Sequence, residues 1–347
     1  MSKRRFNKSL FFLLLGLAAL FLIGIYLFFF RSSEQGAQKP VVTEMVVQFR
    51  SRLDGAPVET VAEETPRVVG VMVDNHPDAR PQAGISFARV VYEAPVEGGF
   101  TRYLALFNAG SLIDKVGPVR SARPYFLDWL EEYGITAPMY MHSGGSPDAL
   151  AEIKRRDIFD TNEFYWGEYY WRSDEADPPH NLFTKSKLWQ ALLGKFSDRY
   201  PATTWQGWIF SDTGAATSSI VKALAINYTA DYTVGWRYEA DSKKYRRLGN
   251  GRLFSDREGR PVLADNILIL EMPVQVLDEV GRKAIATTGS GSARVFHRGE
   301  FIRGTWKKTA VVERTRVYDA NRNEMTLIPG ITWVEIVPTG TEITVTQ

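Results

Sequence analysis

Residues 68–76 read VVGVMVDNH, a β-branched apolar run that ends at three polar residues. Such a run predicts a strand. Further segments with strand or helix character follow at 89–92, 103–107, 125–133, 138–141, 148–156 and 185–196. Because strands alternate with helices in this part of the chain, we predict an α/β domain over residues 67–206. Within it, Ser146 followed by Pro147 is a typical start of a helix.

After Trp208 the pattern changes to short alternating segments separated by turn signals such as Gly249-Asn-Gly251 and Pro329-Gly330. The segments lie at 225–228, 234–238, 245–248, 267–271, 293–297, 299–306, 314–318 and 332–337. Short strands that are punctuated by turns are typical of antiparallel sheets. We therefore predict a mostly antiparallel β domain over residues 207–347.

The N-terminal region contains an uninterrupted apolar run of 21 residues, Leu10–Phe30. As a helix it would span about 30 Å, the thickness of the hydrocarbon core of a bilayer. The run is longer than the apolar region of a signal peptide, and no small-residue cleavage site follows it directly. We predict an uncleaved transmembrane helix, with a cleaved signal peptide as the alternative, because the basic N-terminus suits both.

The cations near this helix predict its orientation. Four of them (Lys3, Arg4, Arg5 and Lys8) precede the apolar run and only Arg31 follows it directly. The positive-inside rule then places residues 1–9 in the cytoplasm and the rest of the chain outside the cell membrane. Residues 31–66 mix polar, charged, proline and glycine residues, and we predict a linker there.

Composition excludes several classes of protein. The chain has 42 Lys+Arg and 40 Asp+Glu, so without the four N-terminal cations the rest carries 38 − 40, or −2. A near-neutral body lacks the basic field that nonspecific nucleic-acid binding requires, and we predict no nucleic-acid partner. The chain contains no cysteine, which excludes disulfides, thiol catalysis and a lipidated cysteine anchor.

Several long motifs resemble a known family. They are VMVDNHPDARPQ at 71–82, VYEAPVEGGFTR at 91–102, VGPVRSAR at 116–123, HSGGS at 142–146, PHN at 179–181, GTW at 304–306 and PGITW at 329–333. Over about residues 51–338 the chain is similar to the YerB-like family of lipoprotein-like bacterial envelope proteins. The resemblance implies an N-terminal and a C-terminal domain of unknown function. Because this chain lacks the lipoprotein cysteine, the transmembrane helix is predicted to replace the lipid anchor.

Four arginines accompany the polar end of the first strand: Arg80, Arg102, Arg120 and Arg123. Open α/β sheets bind ligands at the carboxyl ends of strands, and arginine suits bidentate contact with phosphate or carboxylate. Gly144 and Gly145 precede a predicted helix N-terminus, which favours anions. We predict a site for a phosphorylated or carboxylated envelope ligand. The alternative is that Arg102 and Arg123 only form ion pairs with Glu93, Glu97 or Asp128.

Three of the four histidines, His76, His142 and His180, also lie in these motifs. With Asp74 they could form a divalent-metal site, but their spacings of 66 and 38 residues are not a local metal motif. We predict no resident cofactor and keep a metal at these four residues as the alternative. The full set of candidate ligand-binding residues is Asp74, Asn75, His76, Arg80, Arg102, Arg120, Arg123, His142, Gly144, Gly145, His180 and Asn181.

The function predicted from these features is that of a membrane-anchored extracytoplasmic protein that binds an anionic envelope ligand or a partner protein. Cell-wall glycan, polyprenyl phosphate and an envelope protein are the partners that this prediction names. One alternative is an enzyme of phosphoryl or glycosyl transfer, because the order of motifs is loosely similar to that of LytR-CpsA-Psr transferases. Another is a non-catalytic scaffold for wall enzymes. Whether the protein is an enzyme stays open at this point.

Overall fold

A computed structural model describes residues 8–33, 49–213 and 220–347. The N-terminal apolar run is helical from Lys8 to Ser33 (α1), about 39 Å at 1.5 Å per residue. All side chains from Phe12 to Phe29 are exposed, and this helix is long and apolar enough to cross a membrane. A second compact unit comprises Gln48–Gln347. Residues 1–7, which include three of the four N-terminal cations, lie outside the described residues.

The N-terminal part of the second unit combines strands with three helices. Its helices are α2 (Pro124–Leu130), α3 (Pro147–Arg155) and α4 (Ser186–Lys195). Its strands are β1 (Phe49–Arg50), β2 (Pro57–Val58), β3 (Val68–Asp74), β4 (Val90–Pro95), β5 (Thr101–Asn108), β6 (Met139–His142), β7 (Phe159–Asn162), β8 (Trp171–Arg172) and β9 (Leu182–Phe183). Short 3-10 helices occur at Val61–Glu64, Pro77–Ala79, Ile85–Phe87, Glu97–Gly99, Glu131–Tyr133 and Gly167–Tyr169.

The C-terminal part consists of strands in its described residues. They are β10 (Ala223–Thr229), β11 (Tyr232–Glu239), β12 (Lys244–Gly249), β13 (Arg252–Leu253), β14 (Leu263–Ala264), β15 (Asn266–Met272), β16 (Val274–Val276), β17 (Lys283–Ile285), β18 (Gly289–His297), β19 (Glu300–Lys308), β20 (Arg316–Tyr318), β21 (Thr332–Pro338) and β22 (Ile343–Thr346). Most of their pairings are antiparallel; β21 is the exception, being parallel to both of its neighbours.

One ten-stranded sheet combines strands from both parts, in the order β20-β19-β18-β15-β21-β4-β5-β3-β6-β7. Strand β21, near the C-terminus, pairs in parallel with β4, so that Glu335 lies opposite Glu93. At the other end of the sheet, β3, β6 and β7 are parallel. A six-stranded sheet of β13-β12-β11-β10-β22, with β14 beside β12, completes the C-terminal part. The mixed α/β sheet and the mostly antiparallel C-terminal strands agree with the predicted fold class, but the two parts share a sheet.

Strand β3 is buried along its whole length because both faces of the large sheet are covered. Alternate residues Val69, Val71 and Val73 pack in a core with the six-stranded sheet and α4. Val68 and Met72 pack on the opposite side of the sheet with α2. The two cores therefore place the polar end of β3 at the rim of a rigid sheet.

Buried ion pairs also join the two parts. Arg247, on β12, is fully buried and donates to Glu93 Oε2 at 2.6 Å and to Glu335 Oε1 at 3.1 Å. Burial and the neighbouring Glu93 raise the pKa of Glu335 to about 8, although Arg247 opposes that shift. A second buried cluster links Glu132 to Lys308 Nζ at 2.7 Å and to Arg314 Nη1 at 3.2 Å.

The compact unit begins before the predicted end of the linker. Strands β1 and β2 pair within residues 49–58, and Leu53 is buried in the core with α2. Asp54, also buried, lies 2.7 Å from Arg89 Nε. The polar composition of residues 31–66 did not predict these contacts. Average composition does not show which few side chains of a segment pack against the rest of the protein.

Candidate functional site

A cleft of about 480 Å³ opens at the polar end of β3. Strands β3 and β6 are parallel, so their carboxyl ends meet at this edge, where ligand sites of open α/β sheets are commonly found. The cleft is lined by Asp74, His76, Val96, Glu97, Gly98, Phe100, Thr101, Arg102, Arg120, Ser121, Arg123, Gly145, Ser146, His180, Val280 and Arg282. Seven of the twelve candidate residues predicted from the sequence therefore line one cleft.

Asp74, the last residue of β3, is the buried acid of the cleft. Its Oδ1 accepts the backbone N–H of His76 at 3.1 Å, and its Oδ2 lies 2.7 Å from His180 Nδ1. Burial, the largest single influence, raises the pKa of the Asp74 carboxyl, and the charges of Arg102 and Arg120 lower it. With the two hydrogen bonds, they hold the pKa below its ordinary value. An ionised carboxylate only accepts, so Nδ1 of His180 is the donor.

Arg102 faces Asp74 across the strand pair, since the two residues are in register on β5 and β3. Its side chain is buried, and Nη1 donates to the carbonyl of Ser121 at 2.9 Å. Among the described residues, no acceptor is placed to bond Arg102 Nε. Burial and the nearby charge of Arg123 lower the pKa of Arg102 to about 10, so it stays cationic at neutral pH. The cleft thus contains a buried cation with spare donor capacity.

Arg120 lies in the segment between β5 and α2, which is held against the end of β3. Its backbone N–H donates to the carbonyl of Met72 at 2.9 Å, and Val119 forms an isolated bridge with Val73. Arg120 Nε is 3.0 Å from Asp74 Oδ2, although the N–H is not directed at the oxygen as a hydrogen bond requires. The side chain is 27% exposed, so its guanidinium is accessible from the cleft.

Arg123 forms an ion pair, which is the alternative predicted for it from the sequence. It donates to both carboxylate oxygens of Glu97, from Nε at 2.6 Å and from Nη2 at 2.7 Å. Burial raises the pKa of Glu97, but Arg123 more than compensates and the pKa is lowered overall. A bidentate pair of this kind occupies the planar fork of Arg123. Arg123 therefore shapes the wall of the cleft rather than offering free donors.

The two glycines form a structural turn at the start of α3. Gly144 has φ +63°, and its carbonyl accepts from the Ala122 N–H at 3.0 Å. Its own N–H donates to Asn162 Oδ1, while Ser146 caps α3 through the N–H of Ala149 at 3.3 Å. The N–H groups of Gly144, Ser146 and Ala149 are thus engaged within the protein. Gly145 and Ser146 line the cleft beside the arginine side chains.

The three histidines of the alternative metal site do not all come together beside Asp74. The rings of His76 and His180 stack at 4.7 Å, and with Asp78 they offer three potential ligand atoms within 4.8 Å of one another. His142 is instead fully buried, with Nδ1 2.7 Å from the Gly144 carbonyl and Nε2 2.7 Å from Asp160 Oδ1. Both ring nitrogens are engaged away from the cleft. The cations beside Asp74 also oppose binding of a metal ion at His76 and His180.

Three other candidate residues have their side chains in local structure outside the cleft. Asn75 is buried and donates to Thr101 Oγ1 and to Tyr232 OH, each at 2.7 Å. Arg80 donates to Asn75 Oδ1 at 2.9 Å and stacks over the ring of Tyr232. Asn181 Oδ1 accepts from Arg172. They stabilise the surroundings of the cleft without lining it.

Sequence reasoning missed several residues that line the cleft. Val96 and Phe100 flank the Glu97–Gly99 turn, whereas Val280 and Arg282 come from the β16–β17 hairpin, more than 150 positions beyond Arg123. No local pattern could have connected that hairpin with the N-terminal motifs. Arg282 also forms an ion pair with Asp278 on the hairpin, Nε to Oδ2 at 2.5 Å.

Comparison with known proteins agrees with this architecture. Residues 53–199 match the N-terminal domain, and residues 224–334 the C-terminal domain, of a protein family of unknown function, DUF3048. The chain is 32% identical over 307 residues to "Putative lipoprotein YerB" of Bacillus subtilis (strain 168), which covers 87% of this chain and 90% of that protein. The crystal structure of YerB from Bacillus subtilis matches with a TM-score of 0.74 and 28% identity, over 86% of this chain and all of that one. The resemblance found in the motifs is confirmed, and the chain belongs to the YerB-like DUF3048 family.

Proposed function

We propose that this protein is a membrane-anchored extracytoplasmic receptor that binds an anionic envelope ligand in the cleft at the end of β3. The observation that carries the proposal is the convergence of Arg102, Arg120 and Asp74, with a buried Arg102 Nε that has no acceptor among the described residues. A buried donor without an acceptor carries a free-energy cost, which a bound acceptor would reduce. An anion entering the cleft would supply the missing acceptor.

The charge of the cleft supports an anion over a cation. Four arginines line it (Arg102, Arg120, Arg123 and Arg282), against the carboxylates of Asp74 and Glu97. Asp278 neutralises Arg282 from outside the lining, which leaves an excess of one positive charge. The low dielectric around a buried guanidinium strengthens its attraction for an anion relative to an exposed one.

The location is part of the same proposal. The apolar helix α1 and the lipoprotein name of the Bacillus relative both support an envelope protein at the membrane. We infer a single span with residues 1–9 in the cytoplasm, from the excess of cations before Leu10. Protease added to intact spheroplasts should then degrade the chain beyond the helix. Survival of the C-terminal region after this treatment, with digestion after lysis, would contradict the orientation.

The domain division at residues 206 and 207 is likewise a proposal. It is supported by the two family matches, which fall on either side of that point. Because the two parts share a ten-stranded sheet, we expect them to fold together rather than as independent units.

Binding of inorganic phosphate to the full chain in nonionic detergent tests the anion cleft. We expect Arg120→Ala to weaken binding about 10- to 100-fold, the scale of a lost charge-assisted hydrogen bond. Arg172→Ala is the matched control, because it removes the same charge from a partly exposed arginine outside the cleft. Titration calorimetry should separate the two variants. Equal affinities of the two variants would show that phosphate binding depends only on net charge. That result would refute the proposal that phosphate binds in the cleft.

A second candidate function, phosphoryl transfer, is favoured by one contact. His180 Nδ1 donates to Asp74 at 2.7 Å, which leaves Nε2 able to accept a proton within the cleft. The carboxylate orients the imidazole as it does in many general bases. Release of p-nitrophenol from p-nitrophenyl phosphate by the wild type, but not by His180→Gln, would favour this function. Identical rates for both proteins would eliminate it for this substrate class.

A further inference from the structure

The arginine-lined cleft has one apolar wall. Val96, Phe100 and Val280 border the same cavity as Arg102 and Arg120. Val280 is 68% exposed, so it presents hydrocarbon to solvent at the mouth of a charged site. A small inorganic anion would leave this wall uncovered, whereas a ligand with an apolar part would cover it.

The hairpin that carries Val280 extends this apolar surface. At its tip, Val276 and Leu277 are also large apolar residues, exposed by 60% and 50%. The turn is well formed, because Leu277 N–H donates to the Arg282 carbonyl at 2.7 Å and Gly281 N–H to the Asp278 carbonyl at 2.9 Å. Single exposed apolar residues are ordinary, but three within five positions at the tip of a closed turn form a patch.

We propose that the cleft binds a phosphate monoester that carries a hydrocarbon chain, with the phosphate at Arg102 and Arg120 and the chain along Phe100 and Val280. This inference rests on the proposed anion site and adds the chemical class of its ligand. The charged and apolar walls meet in one cavity, which matches the two ends of such an amphiphile. The volume of about 480 Å³ is in the range of small-molecule sites, and the proposed occupant is a prenyl or alkyl phosphate.

The arrangement of the two arginines favours phosphate over carboxylate as the head group. Arg102 comes from β5 and Arg120 from the segment that follows it, so their guanidinium groups approach the cleft from separate parts of the backbone. One planar guanidinium satisfies both oxygens of a carboxylate. A phosphate monoester has three terminal oxygens and can bridge two guanidinium groups.

The apolar wall should produce a measurable gain in affinity. Each buried methylene strengthens binding about fourfold. Burial of three methylene equivalents against Val280 and Phe100 would therefore strengthen binding by about 60-fold relative to inorganic phosphate. This gain in affinity comes from the hydrocarbon chain and not from the arginines. Variants of the hairpin tip therefore test it separately.

The experiment compares four probes on the full chain held in amphipol, which avoids free micelles. Calorimetry measures the dissociation constants of inorganic phosphate, geranyl monophosphate, geranic acid and geraniol. Wild type should bind geranyl monophosphate at least 10-fold more tightly than inorganic phosphate and more tightly than geranic acid. Geraniol, which has no anionic head, reports adsorption to the amphipol.

Two variants assign the gain to the hairpin. Val280→Ser should weaken geranyl monophosphate binding about 5- to 10-fold and leave inorganic phosphate unchanged, which also reports an intact fold. Val312→Ser is the matched control, since Val312 is 42% exposed and does not line the cleft. Leu277→Ser provides a second test of the tip and should reduce the same preference.

Each contrary result has a separate meaning. Equal affinity for inorganic phosphate and geranyl monophosphate, or equal effects of Val280→Ser and Val312→Ser, would overturn the hydrocarbon part and leave the anion cleft standing. Geranic acid binding as tightly as geranyl monophosphate would overturn the assignment of phosphate. If neither phosphate binds, the proposed anion site fails, and this inference fails with it.

Discussion

Replacing Arg247 by methionine should destabilise the whole compact unit. Arg247 is fully buried between Glu93 and Glu335, which belong to neighbouring strands, β4 and β21. Methionine retains an apolar stem like that of arginine but carries no charge or donor, so both carboxyl groups would lose their common partner. Breaking a buried ion pair by removing one partner costs roughly 3–5 kcal/mol of the free energy of unfolding. Proton uptake by the carboxyl groups limits the loss at low pH, so it should be larger at pH 8 than at pH 6.

Urea unfolding of the full chain in detergent, followed by tryptophan fluorescence, measures this change. The ring nitrogens of Trp236 and Trp333 donate to the same two carboxyl groups, at 2.9 Å and 3.3 Å, so two of the nine tryptophans lie directly at the substitution. The control is Arg246→Met on the same strand. Arg246 is 25% exposed and lies 3.7 Å from Glu239, and a pair of that kind contributes about 0–1 kcal/mol.

The comparison between these variants decides whether the buried triad holds the two parts together. A loss for Arg247→Met no greater than that for Arg246→Met would refute the reasoning. The triple variant with Glu93→Gln and Glu335→Gln provides a further check. It should recover much of the lost stability, because no unpaired buried charge remains.

The remaining predictions concern the cleft wall, the pH response and the association of the two parts. Arg123→Ala should lower the free energy of unfolding by about 1–3 kcal/mol because Glu97 loses its bidentate partner, whereas Arg120→Ala should cost less than about 1 kcal/mol; similar melting temperatures would contradict the assignment. Because the folded pKa of Glu335 is raised to about 8, the folded state binds the extra proton, and stability should fall as pH rises from about 4.5 to 8. Glu335→Gln should flatten the dependence of the free energy of unfolding on pH, measured by urea titration. An unchanged dependence would contradict the role of Glu335. Cleavage within 196–218 should yield fragments that co-elute in native gel filtration and separate in urea; separation without urea would show that the shared sheet does not hold them.

Local sequence features predicted the elements around the cleft closely. The helix expected at 148–156 is α3, Pro147–Arg155, and Ser146 caps it as expected. The apolar run at 68–73 is β3. The N-cap of α4 is Lys185, whereas the hydroxyl of the preceding Thr184 donates to the Tyr169 carbonyl. Caps and apolar periodicity depend on neighbours within one or two turns, which a sequence displays directly.

The composition of the cleft was predictable only in part. Asp74 and Arg120 come together because Asp74 is the last residue of β3 and Arg120 lies in the segment that pairs with the end of this strand. Asn75 follows Asp74 in sequence but its side chain enters the opposite core, beside Tyr232. Successive residues of an extended chain point to opposite sides, so adjacency in a motif does not imply a shared site. His142 belonged only to the alternative metal set, and its two ring nitrogens lie 2.7 Å from the Gly144 carbonyl and from Asp160 Oδ1.

The sequence by itself determined the apolar helix α1, the order of strands and helices, the family and the motifs that border the cleft. The tertiary structure alone decided that β21 inserts between β15 and β4, that Arg247 bonds both Glu93 and Glu335, and that the β16–β17 hairpin completes the cleft. The physical reason is the range of the interactions. Helix caps and strand periodicity arise between close neighbours along the chain, whereas Glu93 and Glu335 are 242 residues apart and meet only when the sheet selects its register.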